Sequence, residues 1–111
     1  MNIDELTIGE VKKLTAMIGM NTKQDNHSLK IGEKVFIRTV TMHFTGQITA
    51  ITESDIVLKD AAWIADSGRF SHALSTGELN EVEPYPDGVI ISRGGLIDIS
   101  PWNHKLPREI K

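Results

Sequence analysis

Two short β-branched runs separated by an Arg-Gly-Gly corner constrain this chain more than any other feature. They read Val89-Ile90-Ile91-Ser92, then Arg93-Gly94-Gly95, then Leu96-Ile97-Asp98-Ile99. β-Branched side chains are stiff and pack well on a pleated surface, so each run is expected to form a strand. Glycine adopts positive φ at little cost, so Gly94 and Gly95 are expected to supply the left-handed dihedrals of a sharp reversal. Arg93 falls at the corner, where its side chain can face a ligand instead of the core.

A second set of short strands lies upstream. Ile31-Gly32-Glu33-Lys34 leads into Val35 to Thr41, where Val35, Ile37 and Thr39 alternate with residues expected to point outward. Thr45-Gly46-Gln47-Ile48-Thr49-Ala50-Ile51 follows, then the polar loop Thr52-Glu53-Ser54-Asp55, then Ile56-Val57-Leu58-Lys59-Asp60-Ala61. This places a Gly in a strand, apolar residues two and five places later, a polar loop, and an apolar triplet closed by a polar-acidic-Ala run. That order resembles the first motif of the Sm and LSm proteins, with Gly46, Ile48, Ile51, Ile56, Val57, Leu58, Asp60 and Ala61 in matching places. The apolar run ending in Arg93-Gly94 resembles their second motif. The four-residue loop and the Gly-Gln-Ile start look like bacterial Hfq, whereas Arg93-Gly94 looks like the archaeal and eukaryotic LSm type.

The resemblance implies a mainly β fold: a strongly bent five-stranded antiparallel barrel preceded by an N-terminal α-helix. It divides a single Sm-like domain over residues 1–111 into a helix at 7–19, a first motif at 29–65, an insertion at 66–87, a second motif at 88–100 and a tail at 101–111. It also implies a homo-oligomeric ring of five to seven subunits, in which the strand around Val89-Ile90-Ile91 pairs with the strand around Leu96-Ile97-Asp98-Ile99 of the next subunit. In such rings each subunit offers a base pocket between the first-motif loop and the Arg-Gly turn. Carried onto this chain, the RNA-binding residues are Ser54, Asp55, Arg93 and Gly94. Ser54 stands where Hfq has an aromatic, and Glu53 with Asp55 adds negative charge near any phosphate, so the pocket departs from the family pattern. Stacking on such an aromatic is worth roughly 1–3 kcal/mol per base. An intersubunit or intraloop salt bridge between Arg93 and one of these acids is the competing reading of the arginine.

The remaining segments follow simpler rules. Thr7 and Glu10 have capping-box spacing, Leu6 and Val11 the spacing of a hydrophobic staple, and Val11, Leu14 and Ile18 share one helical stripe that Gly19 can end. The segment Asp66 to Asp87 is longer than an ordinary hairpin loop and contains Gly68, Gly77, Pro84 and Pro86, so it is expected to be largely irregular. Phe70, Leu74, Leu79 and Val82 are its candidate packing anchors. From Phe70 through Ser92 there is no Lys or Arg, while Glu78, Glu81, Glu83 and Asp87 accumulate, which places this insertion away from phosphates. The tail, with Pro101 and Pro107, is expected to run extended over the surface, and Trp63 and Trp102 to serve packing instead of base stacking.

Composition narrows the chemistry. The net charge of -3 argues against broad, non-specific nucleic-acid binding and leaves room for a small site with local positive charge. With no cysteine, disulfides and thiolate metal sites are excluded, and a cytoplasmic setting is the simplest. No apolar stretch approaches the roughly 20 residues that span a bilayer, so no membrane partner is expected. His27, His43, His72 and His104 lack ligand spacing, and neither Asp55 with Asp60 nor Glu81 with Glu83 shows the environment that separates two carboxyl pKa values. Ser71 and Ser75 lack a nucleophile-elbow context. No catalytic residues, metal or cofactor are expected. Three functions remain open: an RNA-binding ring, an assembly ring that holds a protein partner without nucleic acid, and a binder of small nucleotides.

Overall fold

The structure, a computed structural model, describes residues 29–111. The helix expected over 7–19 lies outside the described residues. Six strands, one short helix and one 3-10 turn follow in the order β1 (Lys34–Thr39), β2 (His43–Ile51), β3 (Asp55–Asp66), α1 (Phe70–Thr76), β4 (Glu81–Pro84), β5 (Val89–Ser92), the turn Arg93–Gly95, and β6 (Leu96–Pro101). No helix among the described residues is long and apolar enough to cross a membrane.

All strand pairs are antiparallel. β3 pairs with β2, β2 with β1 and β1 with β6, while the other side of β3 is shared. Its N-terminal half takes β5, with Ile56 opposite Ile91, and its C-terminal half takes β4, with Ile64 opposite Val82. β5 and β6 therefore do not form a hairpin with one another. The turn at 93–95 carries the chain from one end of the bent sheet to the other.

The bend has a local cause. The β2–β3 ladder slips between Thr45 and Gln47 and again between Ile48 and Ala50, and such bulges increase the local twist and bend a strand. At the first slip Asp60 has φ 48°, and a Cβ on Gly46 would stand 2.9 Å from the Leu58 side chain. Only a residue without a side chain lets the two strands close there.

The barrel interior is filled by Val35, Ile37, Phe44, Ile48, Ile56, Leu58, Ala61 and Ile91. Outside it lies a second core, in which Phe36, Ala62, Ile64 and Trp102 meet Ala73, Leu79 and Val82. Here the structure corrects two expectations. Phe36 points away from the barrel interior yet is fully buried, because the insertion and the tail cover that face of the sheet. The sheet has six strands where a five-stranded barrel was expected, because β4 of the insertion pairs along the C-terminal half of β3. Within 66–87 the chain is more ordered than its Gly and Pro content suggests. α1 ends at Gly77 in the left-handed conformation, a C-cap geometry that glycine accepts without strain. Leu79 and Val82 are buried, with Phe70 and Leu74 partly buried against the same core.

The tail is anchored as well as extended. Trp102 is 1% exposed and its indole donates to the Lys105 carbonyl (3.0 Å). Lys34 Nζ donates to the His104 carbonyl (2.7 Å), and Lys111 exchanges two backbone hydrogen bonds with Val82 at 3.1 and 3.0 Å. Trp63, by contrast, is only half-buried, on β3 opposite Phe44. A charged clasp joins β1 to β6. Arg38 Nε donates to Asp98 Oδ1 (2.9 Å), Arg38 Nη2 bonds Asp98 Oδ2, and the guanidinium lies 4.4 Å from the centre of the Phe70 ring. The hydrogen bond from Arg38 holds the Asp98 carboxyl below the usual carboxylate range and raises the arginine in turn.

Candidate functional site

The ladder between β3 and β5 sets the site, because it pairs Asp55 with Ser92 and so brings the loop 52–55 beside the turn 93–95. The loop is organised by one hydroxyl. Thr52 Oγ1 accepts from the backbone N–H groups of Ser54 (3.3 Å) and Asp55 (2.9 Å), and the Thr52 N–H donates to the Asp55 carbonyl (2.9 Å). Such a hydroxyl-to-backbone turn gives a four-residue polar loop a defined shape.

The turn is capped in the same way: the Gly94 N–H donates to Ser92 Oγ (3.3 Å). Gly94 and Gly95 do not take positive φ, contrary to the expectation from sequence; a 3-10 turn uses right-handed dihedrals. Among the described residues the left-handed glycines are Gly32, Gly68, Gly77 and Gly88. A Cβ on Gly95 would meet nothing within 4 Å, and one on Gly94 only Ser92 Oγ at 3.6 Å. The absence of side chains there leaves the turn surface open.

Arg93 laces the two segments together. Its N–H donates to the Ser54 carbonyl (2.8 Å) and its Nη1 to the Thr52 carbonyl (2.7 Å). Among the described residues it forms no ion pair with Glu53 or Asp55, so the competing reading of an intraloop salt bridge is replaced by hydrogen bonds to carbonyls. A guanidinium has five N–H donors, and the Thr52 carbonyl takes one, which leaves a planar cation with donors to spare. Ser54 and Gly94 are exposed, and Asp55 and Arg93 half-buried. All four residues named from the sequence thus stand together on one rim of the barrel. Sequence reasoning passed over Thr52, which shapes the loop and positions the arginine. Its signal was a hydroxyl residue three places before Asp55 in a polar loop.

The described histidines, His43, His72 and His104, are not gathered near this site. His72 Nε2 lies 3.1 Å from Glu78 Oε1, His104 Nε2 lies 2.7 Å from the Leu74 carbonyl, and His43 packs against Phe36. Among the described residues no group of three or more His, Cys, Asp or Glu could hold a metal ion.

Scanned against known protein families the sequence finds no match, and no curated protein matches it either. Among solved structures, the fold is similar to that of a heptameric archaeal Sm protein, with 18% sequence identity and a TM-score of 0.47 over 64% of this chain and 87% of that one.

Proposed function

We propose that the chain is a ring-forming Sm-like protein, a binding and assembly protein and not an enzyme, which takes single-stranded RNA or a short oligonucleotide at the 52–55 loop and the 93–95 turn. The observation that carries this reading is the position of Arg93: its guanidinium is held by the Thr52 carbonyl and its backbone N–H by the Ser54 carbonyl, at the junction of two strands whose outer edges are open. β5 pairs only with β3 and β6 only with β1 among the described residues, and each edge strand exposes one isoleucine, Ile90 at 66% and Ile97 at 61%. Open apolar edge strands are templates for pairing, and a closed ring of identical subunits removes them. In a ring of five to seven copies, neighbouring Arg93 turns would repeat around one rim and present a circle of cations to a strand of nucleotides. Arg93 would stack on a base and Asp55 would read its edge, with Ser54 supplying a hydrogen bond where a stacking ring is lacking.

The test is fluorescence anisotropy with short single-stranded RNAs beside light scattering on the same samples. Arg93→Ala should weaken RNA binding by roughly 1–3 kcal/mol with the oligomer mass unchanged. Arg93→Lys should recover only part of that loss, because an ammonium lacks the planar face, and Ser54→Phe should tighten binding by adding one. RNA affinity that Arg93→Ala leaves unchanged, with the ring intact, would favour the assembly reading. The carboxylates of Glu53 and Asp55 beside the arginine are the feature that speaks for that second reading, since they oppose phosphate.

A further inference from the structure

The tail lies against the sheet and borders an open cavity of about 750 Å³, lined by none of the residues of the loop and turn described above. Its walls combine two kinds of residue. Leu79, Val82, Leu106 and Ile110 give an apolar lining, and the side chains of Lys34, Lys105, Arg108 and Lys111 contribute cations, with Glu109 the one acidic side chain. A chain of net charge -3 thus gathers four of its twelve Lys and Arg residues around one hollow. Two of these are committed elsewhere: Lys34 to the His104 carbonyl, and Arg108 to Asp60 at 3.1 Å. Lys105 and Lys111 make no ion pair among the described residues. The cavity is also preformed. Trp102 and Lys34 pin one end of the strap, and Lys111 pairs with Val82 at the other. Its volume falls within the roughly 300–1,000 Å³ of small-molecule sites, which are mostly apolar with a few placed polar groups.

We propose that this cavity binds a small amphipathic anion: a compact aromatic or aliphatic body that carries one phosphate or carboxylate. The apolar lining takes the body and the ammonium groups of Lys105 and Lys111 take the charge. Calorimetric titration of the full chain with 1-naphthyl phosphate, and separately with 1-naphthol and with inorganic phosphate, tests both halves. The ester should bind once per chain, at least tenfold more tightly than either fragment. The double variant Lys105→Ala, Lys111→Ala should weaken it about tenfold, since an exposed ion pair contributes up to about a factor of five and two are removed. Ile110→Asp should abolish binding without loss of fold, because Ile110 is 80% exposed and carries no core contact. Lys59→Ala, an exposed lysine outside the cavity, should change nothing. Absence of binding by the folded protein at millimolar ester, equal affinity for inorganic phosphate, or a double variant indistinguishable from Lys59→Ala would each overturn the proposal.

Discussion

Gly88 is the residue on which the geometry of the loop and turn depends most sharply, and Gly88→Ala measures that dependence. Gly88 has φ +88°, and a Cβ placed there would lie 2.6 Å from the Leu58 carbonyl oxygen. Left-handed backbone costs an alanine roughly 1–2 kcal/mol. The clash adds about 1–3 kcal/mol, because a backbone oxygen cannot rotate away as a side chain can. Restricting the unfolded chain returns about 0.4–1 kcal/mol. The net loss should be about 3 kcal/mol. With roughly 2.1 cal/mol/K of unfolding entropy per residue over the 83 described residues, 29–111, that corresponds to a melting point lower by about 17 °C. The shift should be read by calorimetry at matched protein concentration, since assembly stabilises by mass action. Gly88 enters β5 one residue before the pair Leu58–Val89, so relieving the clash also moves Ser92 and Arg93 away from Asp55 and Ser54. Under the proposed function, RNA affinity should therefore fall even in the fraction that stays folded. Gly95→Ala is the matched control: its φ is not positive and its Cβ would meet nothing, so its effect on the subunit should stay within about 0.5 kcal/mol. A Gly88→Ala protein that melts within about 2 °C of the parent would refute this account of how β5 is seated on β3.

Three further outcomes are expected. Ile97→Lys should leave the subunit folded, because the side chain is 61% exposed, and lower the oligomer mass in light scattering; an unaltered mass would move the seam away from β6. Trp102→Ala should destabilise by roughly 3–5 kcal/mol in urea titration, and a loss under about 1 kcal/mol would remove the tail from the second core. Asp98→Asn should narrow the stability gap to the parent as pH falls. The folded carboxyl lies below its unfolded value near about 4, so its contribution is complete above that pH and is lost as pH drops through the lowered folded value. Urea midpoints at pH 7 and pH 3 that differ from the parent by the same amount would count against the Arg38 clasp.

Much of the barrel could be read along the chain because hydrophobic periodicity and turn chemistry are local. Val35 and Ile37, Ile48, the run Ile56 to Leu58, and Ile91 are apolar at strand spacing, and they fill the barrel. Gly46 stood where the Sm-like motif has its glycine, and there the two strands approach closely; the placing of Ser54, Asp55, Arg93 and Gly94 side by side was what the resemblance implied. What local pattern does not encode is which strand lies beside which, and what covers an outward face. The runs on either side of Arg93 look like a hairpin in sequence, yet they pair with β3 and β1, because closing a bent sheet requires its two ends to meet across a single turn. Phe36 breaks the expected alternation because Trp102 and the buried residues of the insertion, distant in sequence, bring a second apolar surface to the same sheet. Positive φ falls at Gly88 and not at Gly94 or Gly95, since it is the entry into β5, pressed against the Leu58 carbonyl, that needs a residue without a side chain. Composition supplied four scattered cations near the two ends of this segment of chain; their convergence on one cavity depends on Lys111 reaching Val82 and Lys34 reaching His104, contacts made between residues far apart in the chain.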